Sequence, residues 1–362
     1  MALGHGGSLK SLNDGLSYTL LPLIYQYQDR NFRNMAVFTT LDFDEINTLI
    51  KPYGIGELIR FSGVSAGLEN TNYAITTSSN HMAVEYGHDR EGEYFLTIFE
   101  ELPENDLPFH LGLLELLGRK QIPVSIPVRD YDGKNIQMVY QKPAVLCPSL
   151  QGHHVQSPSL IQCERMGQML ARIHEVSGDM EYQGGGIRDI RWLTGTLSKV
   201  SETLLADELI ACKKVLEEYK AVSRADKLPK TIIHGDLFRD NALFDGEEIT
   251  GVIDFFTAGR GFMIYDLAVC ANDWCVSHTL LDKDKLASFI KGYESLRDLT
   301  DDEKAVWPLM LKVTAMRFWV SRIQAVKRIQ SHPHELNTFT SPEPFKQLFF
   351  YYVNSEPESL LL

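Results

Sequence analysis

Residues 231–256 read TIIHGDLFRDNALFDGEEITGVIDFF. His234, Gly235, Asp236, Asn241 and Asp254 stand here within 21 positions, wrapped in β-type apolar residues. A buried carboxylate is costly unless it is paired or binds a metal. So many polar groups in an apolar stretch point to a site rather than to a solvated surface. Ile232 and Ile233 read as a strand running into a loop. Ala242-Leu243-Phe244 and Gly251-Val252-Ile253 read as the arms of a hairpin around Asp245-Gly246. That hairpin brings Asn241 and Asp254 together.

An Asn oxygen and a carboxylate are hard ligands, the type Mg²⁺ takes when substrate phosphates fill its other positions. Asp236, on the same loop, is free to accept a proton from an attacking hydroxyl. A base, an Asn five residues on and a downstream metal-binding Asp form the division of labour of kinase phosphoryl transfer. A hairpin with polar turn residues would explain a lone H-G-D. It does not explain D-x-x-x-x-N joined to a strand-borne I-D-F. Asp240 and Asp245 read as turn residues, and His234 as a residue that positions the loop.

The 362-residue chain is 44% hydrophobic and 23% charged, ordinary for a soluble globular protein of about two domains. Its formal charge of −13 disfavours a nucleic-acid backbone or an anionic membrane as main partner. The five cysteines form no C-x-x-C pair, so reduced thiols in a cytoplasmic enzyme are expected, not a disulfide framework or zinc site. No apolar run has the length of a transmembrane helix. Residues 1–34 lack the pattern of a secretory signal and read as a weakly ordered extension before a core that starts near Met35.

Asp42–Ile50 reads as a short helix with Asp at its start. LIRFSGV, the loop SAGLENT and NYAITTS read as strand, tight loop and strand; EYFLTIFEEL (93–102) is a third strand. A helix is expected over 108–120. IPVSIPVRD and NIQMVYQKPAVLC (135–147) read as further strands, with Asp132-Gly133 as the hairpin turn. After Pro148 the pattern turns helical: 157–177 opened by Ser157-Pro158, 192–222 in two pieces, and most of 264–352. The expected fold is therefore α+β, with a small β-rich N-terminal lobe over 35–147 and a larger helical lobe over 148–362. A ligand site is expected between them.

HGDLFRDNALF and GVIDFF resemble the catalytic core of the aminoglycoside phosphotransferase-like kinases, small-molecule relatives of protein kinases. FSGVSAGLENTNYAI, YFLTIFEEL…NDLPFHLGLLELL and GFMIYDLAVCANDWC resemble, more narrowly, the homoserine kinases of the bacterial type built on this fold. The likeness runs from about Met35 to the C-terminal helices. It implies a two-lobed protein-kinase-like fold, ATP and Mg²⁺, and transfer of phosphate to the hydroxyl of L-homoserine in threonine synthesis. It also implies Asp236 as base or hydroxyl-orienting group, and Asn241 and Asp254 as metal ligands.

Other positions are weaker. Ser65, Gly67, Asn70 and Thr71 could place backbone N–H groups against phosphates, although the loop lacks the G-x-x-x-x-G-K of a Walker motif. Kinases place a phosphate-binding Lys on the third strand; here Thr97 takes that place, as the homoserine kinase likeness also has it. The segment 142–152 reads as the hinge between lobes, with backbone groups from Val145 through Cys147 to Ser149 against an adenine. Asp266 reads as a carboxylate that orders the catalytic loop through backbone N–H bonds. For a zwitterionic substrate, Arg317 or Arg322 suits the carboxylate and Asn272 or Asp273 the ammonium. A kinase for choline, methylthioribose or an aminoglycoside remains open, as does a non-catalytic binding module of the same fold.

Overall fold

The computed structural model describes residues 39–64, 70–78, 92–102, 104–178, 180–181, 188–331 and 341–356. Ser65, Gly67 and the 1–34 extension lie outside them. The first helix, α1 (Phe43–Ile50), is capped by Asp42, which accepts from the Glu45 N–H while the Glu45 carboxylate reaches back to the Asp42 N–H. Five antiparallel strands follow: β1 (Leu58–Val64), β2 (Asn70–Thr77), β3 (Gly92–Phe99), β4 (Gln137–Val139) and β5 (Lys142–Pro148). Their order is β1-β2-β3-β5-β4.

Side chains alternate across this sheet. Tyr73, Ile75, Leu96, Ile98, Ala144 and Leu146 lie on one face and bury Ile46 and Ile50 of α1 in a small core. The register puts Asn72 beside Thr97 and Thr97 beside Val145 on the other face. Val145 and Phe99 belong to the core of the larger lobe. This second face is therefore the one turned toward the helical lobe.

Two expected strands turn out differently. IPVSIPVRD forms no strand, only a single bridge from Val124 to Val252. Pro123 and Pro127 remove the donors a ladder needs. The stretch 135–147 is two strands, β4 and β5, joined at Tyr140-Gln141, where φ is +49° and +67°. Asp132-Gly133 instead turns the loop before them, with the Gly133 N–H bonded to Asp130 O.

Helix α2 (Leu107–Arg119) buries its leucines in the larger core. Helix α3 (Leu160–Ser177) is capped by Ser159 and Gln162 in a capping box, two residues beyond the expected Ser157. Helices α4 (Ile190–Val200) and α5 (Ala206–Ala225) are the two pieces of the next helical run. Strand β6 (Lys230–Ile233) pairs with β9 (Gly259–Phe262), and β7 (Ala242–Asp245) with β8 (Glu248–Val252). Then come α6 (Met263–Trp274), the short strands β10 (Val276–Ser277) and β11 (Leu280–Leu281), α7 (Lys283–Glu294), α8 (Asp301–Ser331) and α9 (Glu343–Asn354). Trp274, Trp307, Trp319 and Phe349 fill the centre of this lobe. The architecture is a two-lobed α+β fold of the protein-kinase type.

Helices α3 and α7 pack with backbones nearly touching. A methyl group added at Gly167 would sit 2.0 Å from Phe289 O, and one at Gly292 would sit 2.0 Å from Glu164 O. Neither neighbour is the movable end of a side chain. Gly167→Ala is therefore expected to cost about 2 kcal/mol or more by overpacking, read as a fall in thermal midpoint of roughly 5 °C. An unchanged midpoint would show that the helix pair can slide apart freely.

Candidate active site

Strand β6 delivers the catalytic loop, and one buried carboxylate holds it. Asp266, in the first turns of α6, accepts from the His234 N–H at 2.9 Å and from the Gly235 N–H at 2.8 Å. His174 of α3 donates to it through Nε2 at 3.1 Å and meets the Tyr293 hydroxyl through Nδ1 at 2.9 Å. A carboxylate can only accept, so Nε2 of His174 carries the proton. Burial alone would push the Asp266 carboxyl up. The hydrogen bond from His174 and the Gly235 N–H offset that and hold it below the usual carboxylate range.

His234 is itself fully buried. Its Nδ1 accepts from the Asp236 N–H at 3.3 Å, and its Nε2 donates to Ile253 O at 3.0 Å. The ring thus ties the start of the loop to the strand that leads into Asp254. Gly235 between them has φ +75°, where a side chain would be strained.

The hairpin register pairs Ala242 with Val252, and the Ile253 N–H bonds to Asn241 O at 3.0 Å. Asn241 and Asp254 are therefore drawn together, as the spacing suggested. The Asn241 amide donates through Nδ2 to Asp236 O at 2.8 Å, which fixes the amide's orientation and leaves its oxygen to act as an acceptor. Asp254 has φ +62°, unusual for a residue with a side chain. It starts the turn Phe255–Thr257, whose Thr257 hydroxyl donates to His234 O at 3.0 Å. An amide oxygen and a carboxylate on one rigid hairpin fit a hard divalent cation that shares its other positions with phosphate oxygens. Among the described residues no cluster of three or more His, Cys, Asp or Glu forms a metal cage; such a phosphate-sharing site does not need one.

Helix α2 reaches the same turn. His110, 1% exposed, bonds through Nδ1 to Phe255 O at 3.0 Å. Burial pushes its pKa down against that bond. Phe99 at the end of β3 meets Phe256 edge-on at 4.6 Å between centroids. The two lobes are therefore joined immediately beside Asp254. Nothing in the sequence pattern singled out His110, since a lone His on an apolar helix face looks like any packed residue.

Several expected ligands have other partners. Asp273 receives Arg239 through N at 2.7 Å, Nε at 3.0 Å and Nη2 at 3.0 Å, so both of its oxygens are used to pin the loop. Asn272 is buried on Leu311 O, Thr314 and the Tyr352 hydroxyl. Arg322 bonds Ser341 O at 3.2 Å and lies over Phe345, 4.3 Å from the ring centroid; burial pushes its pKa down to about 10. Arg317 is the one that reaches Asp236, Nη1 to Oδ1 at 3.3 Å.

In the sheet, Thr71 is buried and donates to Glu100 at 2.6 Å while accepting from the Thr39 N–H at 3.0 Å. Alternation puts its side chain on the face turned away from the helical lobe. Asn70 lies on the opposite face with Asn72, whose Oδ1 accepts from the Thr97 hydroxyl at 2.7 Å. Lys142 pairs with Glu100 on the far face and does not replace the missing strand lysine. Along the expected hinge, Leu146 O accepts from the Val128 N–H, Pro148 O from the Ser125 hydroxyl, and the Ser149 N–H donates to Glu93 O. Much of that backbone is thus committed. Val145 is fully buried, and Cys147 is half-buried on the face turned toward the helical lobe.

The Asp266 clamp gives a sign-checked prediction. A carboxyl held low in the folded state adds stability that is complete above its unfolded value, about 4, and is lost as pH falls below it. Asp266→Asn is expected to lower unfolding stability by about 3 kcal/mol at pH 7. In urea titrations between pH 7 and 3 the gap to wild type should narrow only below about pH 4. A gap that stays constant across the range would mean the carboxylate charge contributes nothing.

The model of the phosphotransferase enzyme family matches residues 60–299 of the chain. The homoserine kinase of Methylobacillus flagellatus is 36% identical over 290 residues, 80% of this chain and 87% of that protein. The homoserine kinase of Neisseria meningitidis serogroup B is 34% identical over 315 residues, 87% of this chain and 98% of that protein. Among solved structures, an amicoumacin kinase in complex with AMP-PNP and Ca²⁺ superposes with a TM-score of 0.64 at 15% identity, covering 86% of this chain and 92% of that one. A microcompartment-associated aminopropanol kinase gives 0.56 at 19% identity, covering 86% and 94%. The two structures share the fold, while the sequence relatives and the family model fix the kinship. With its H-G-D loop, Asn241 and Asp254 held as described, the chain belongs to the phosphotransferase enzyme family and, within it, to the homoserine kinases.

Proposed function

We propose that the protein transfers the γ-phosphoryl group of ATP to the side-chain hydroxyl of L-homoserine, giving O-phospho-L-homoserine and ADP. The observation that carries this is the loop of Asp236, clamped by Asp266 and tied through Asn241 to Asp254, in a chain with close homoserine kinase relatives. Asp236 is partly exposed, and Arg317 bonds one of its oxygens. The other oxygen is left to take the hydroxyl proton as the substrate oxygen bonds to phosphorus and the bond to the ADP oxygen breaks. Asn241 and Asp254 would hold Mg²⁺, which supplies charge neutralisation to the phosphates when bound. Asn70, Asn72 and Thr97 line the sheet face over the cleft, and Cys147 lies where an adenine would meet β5. The nucleotide-binding lobe is taken as 35–147 and the catalytic lobe as 148–362.

Asp236→Ala is expected to lower kcat by about 10³-fold while nucleotide affinity changes little. Near-normal turnover in that variant would remove Asp236 from the reaction. For the substrate, ADP release with Mg·ATP is measured across L-homoserine, L-serine, choline, methylthioribose and kanamycin. A clear preference for any of the last three would sink the homoserine reading, and no turnover with any would favour a binding module.

A further inference from the structure

We infer that Tyr293, Arg297 and Glu303 are positioning residues for the catalytic loop. A one-way line of hydrogen bonds runs from them through His174 to Asp266 and fixes where Asp236 stands. Its effect on turnover rests on the reading of Asp236 given above; its effect on the loop does not.

Two glycines bring the helices close enough for this. Gly167 of α3 lies against the backbone of α7 at Phe289, and Gly292 of α7 against that of α3 at Glu164. The Tyr293 ring then meets His174 edge-on, with 5.7 Å between centroids and 75° between planes. Arg297 follows Tyr293 by four residues, and its N–H bonds to Tyr293 O at 3.1 Å, so the two side chains share one face of the turn. Its Nη1 donates to the Tyr293 hydroxyl at 3.3 Å, and its Nη2 to the two Glu303 oxygens at 3.0 and 2.8 Å. Glu303 is fully buried in the first turn of α8. There it forms a capping box with Thr300, whose N–H and hydroxyl donate to Oε2 at 2.9 and 3.1 Å while its oxygen accepts from the Glu303 N–H at 3.2 Å. The guanidinium is therefore anchored on a carboxylate built into a helix start.

The proton positions follow from these contacts. An arginine only donates, so the Tyr293 oxygen accepts from Arg297. Burial pushes the Tyr293 phenol well above its ordinary range, so it keeps its proton. Among the described residues, the acceptor that meets this hydroxyl is Nδ1 of His174, at 2.9 Å, and a buried hydroxyl seldom goes without one. Nδ1 thus accepts and Nε2 donates to Asp266. Every donor in the line points toward that carboxylate, and bonds ordered in this way polarise one another. The line ends on Oδ2 of Asp266, which also takes the His234 N–H, while Oδ1 takes the Gly235 N–H. Asp236 is the next residue. Without the Tyr293 hydroxyl, Nδ1 is left buried and unmet, the imidazole loses its fixed orientation, and the seat of the loop loosens. A small misplacement of a group that orients the attacking oxygen is costly in turnover.

The test reads amide hydrogen exchange at His234 and Gly235, with kcat and KM, in wild type, Tyr293→Phe, Arg297→Gln and the double variant. Tyr293→Phe should speed exchange at those two amides at least about tenfold, with the amides of Trp319 and Val320 in the core of α8 unchanged. It should lower kcat about tenfold and leave KM for Mg·ATP within about twofold. Arg297→Gln should act in the same direction and less, since the hydroxyl remains. The double variant should match Tyr293→Phe, because one line is broken only once. Exchange that rises evenly over loop and core, or losses that simply add, would mean that these residues only stabilise the helical lobe and would overturn the inference. So would unchanged exchange at His234 and Gly235 in a folded variant. Should Tyr293→Phe fail to fold, Arg297→Gln, whose side chain is partly exposed, decides by the same comparison of loop with core. Exchange is read without substrate. A wild type that fails to turn over homoserine would sink the proposed reaction, and exchange alone would then decide the positioning line.

Discussion

The carboxylate of Asp266 ties the catalytic loop to two helices at one buried point. It takes two consecutive N–H groups from the catalytic loop and a third donor from His174 on α3. Each donor comes from a different direction, so the loop is fixed in position and in twist. The carboxylate is fully buried, and those donors meet its charge. From this point the order propagates outward. Gly235 can take its unusual φ because both flanking N–H groups are anchored. His234 can then turn its ring onto Ile253 O, which carries the fixed geometry across to Asp254. Arg239 and Asp273 repeat the device at the far end of the loop, a bidentate ion pair added to a backbone N–H bond.

Precision on one side of the cleft is matched by a lighter connection on the other. The small lobe has its own core on the face away from the cleft, built on α1 and the alternate residues of the sheet. Its remaining face contributes Val145 and Phe99 to the larger core. The contact of α2 with the Asp254 turn, through His110 and the Phe99–Phe256 pair, sits where a shift of the lobe would be felt at Asp254, the proposed metal ligand. A neutral His110 suits that place, since a proton on its second nitrogen would have to be accommodated among buried aromatic rings.

Much of this was legible in the sequence because the decisive groups are neighbours along it. D-x-x-x-x-N and I-D-F are local patterns on a local hairpin, and the register follows from the alternation of Ala242, Phe244 and Val252. Capping signals placed α1 to the residue. The errors are of another kind. The turn Tyr140-Gln141 uses two residues that seldom adopt positive φ, so no turn signal was present. IPVSIPVRD has the composition of a strand and prolines that prevent one. Asp273 and Arg322 are the right residue types for binding, but their partners Arg239 and Ser341 lie 34 and 19 positions away. Long-range pairing of that sort leaves no trace in spacing.

The distribution of charge in the cleft follows from one substitution of type. Where a kinase strand offers a lysine to the phosphates, this sheet offers the Thr97–Asn72 pair, which is neutral. The nearby lysine, Lys142, is bound to Glu100 on the opposite face. Cationic side chains instead gather in the helical lobe beside Asp236, with Arg317 buried and Arg188 near it. Fixed positive charge therefore stands beside Asp236, the proposed base. A polycationic acceptor brought to that base would be repelled there.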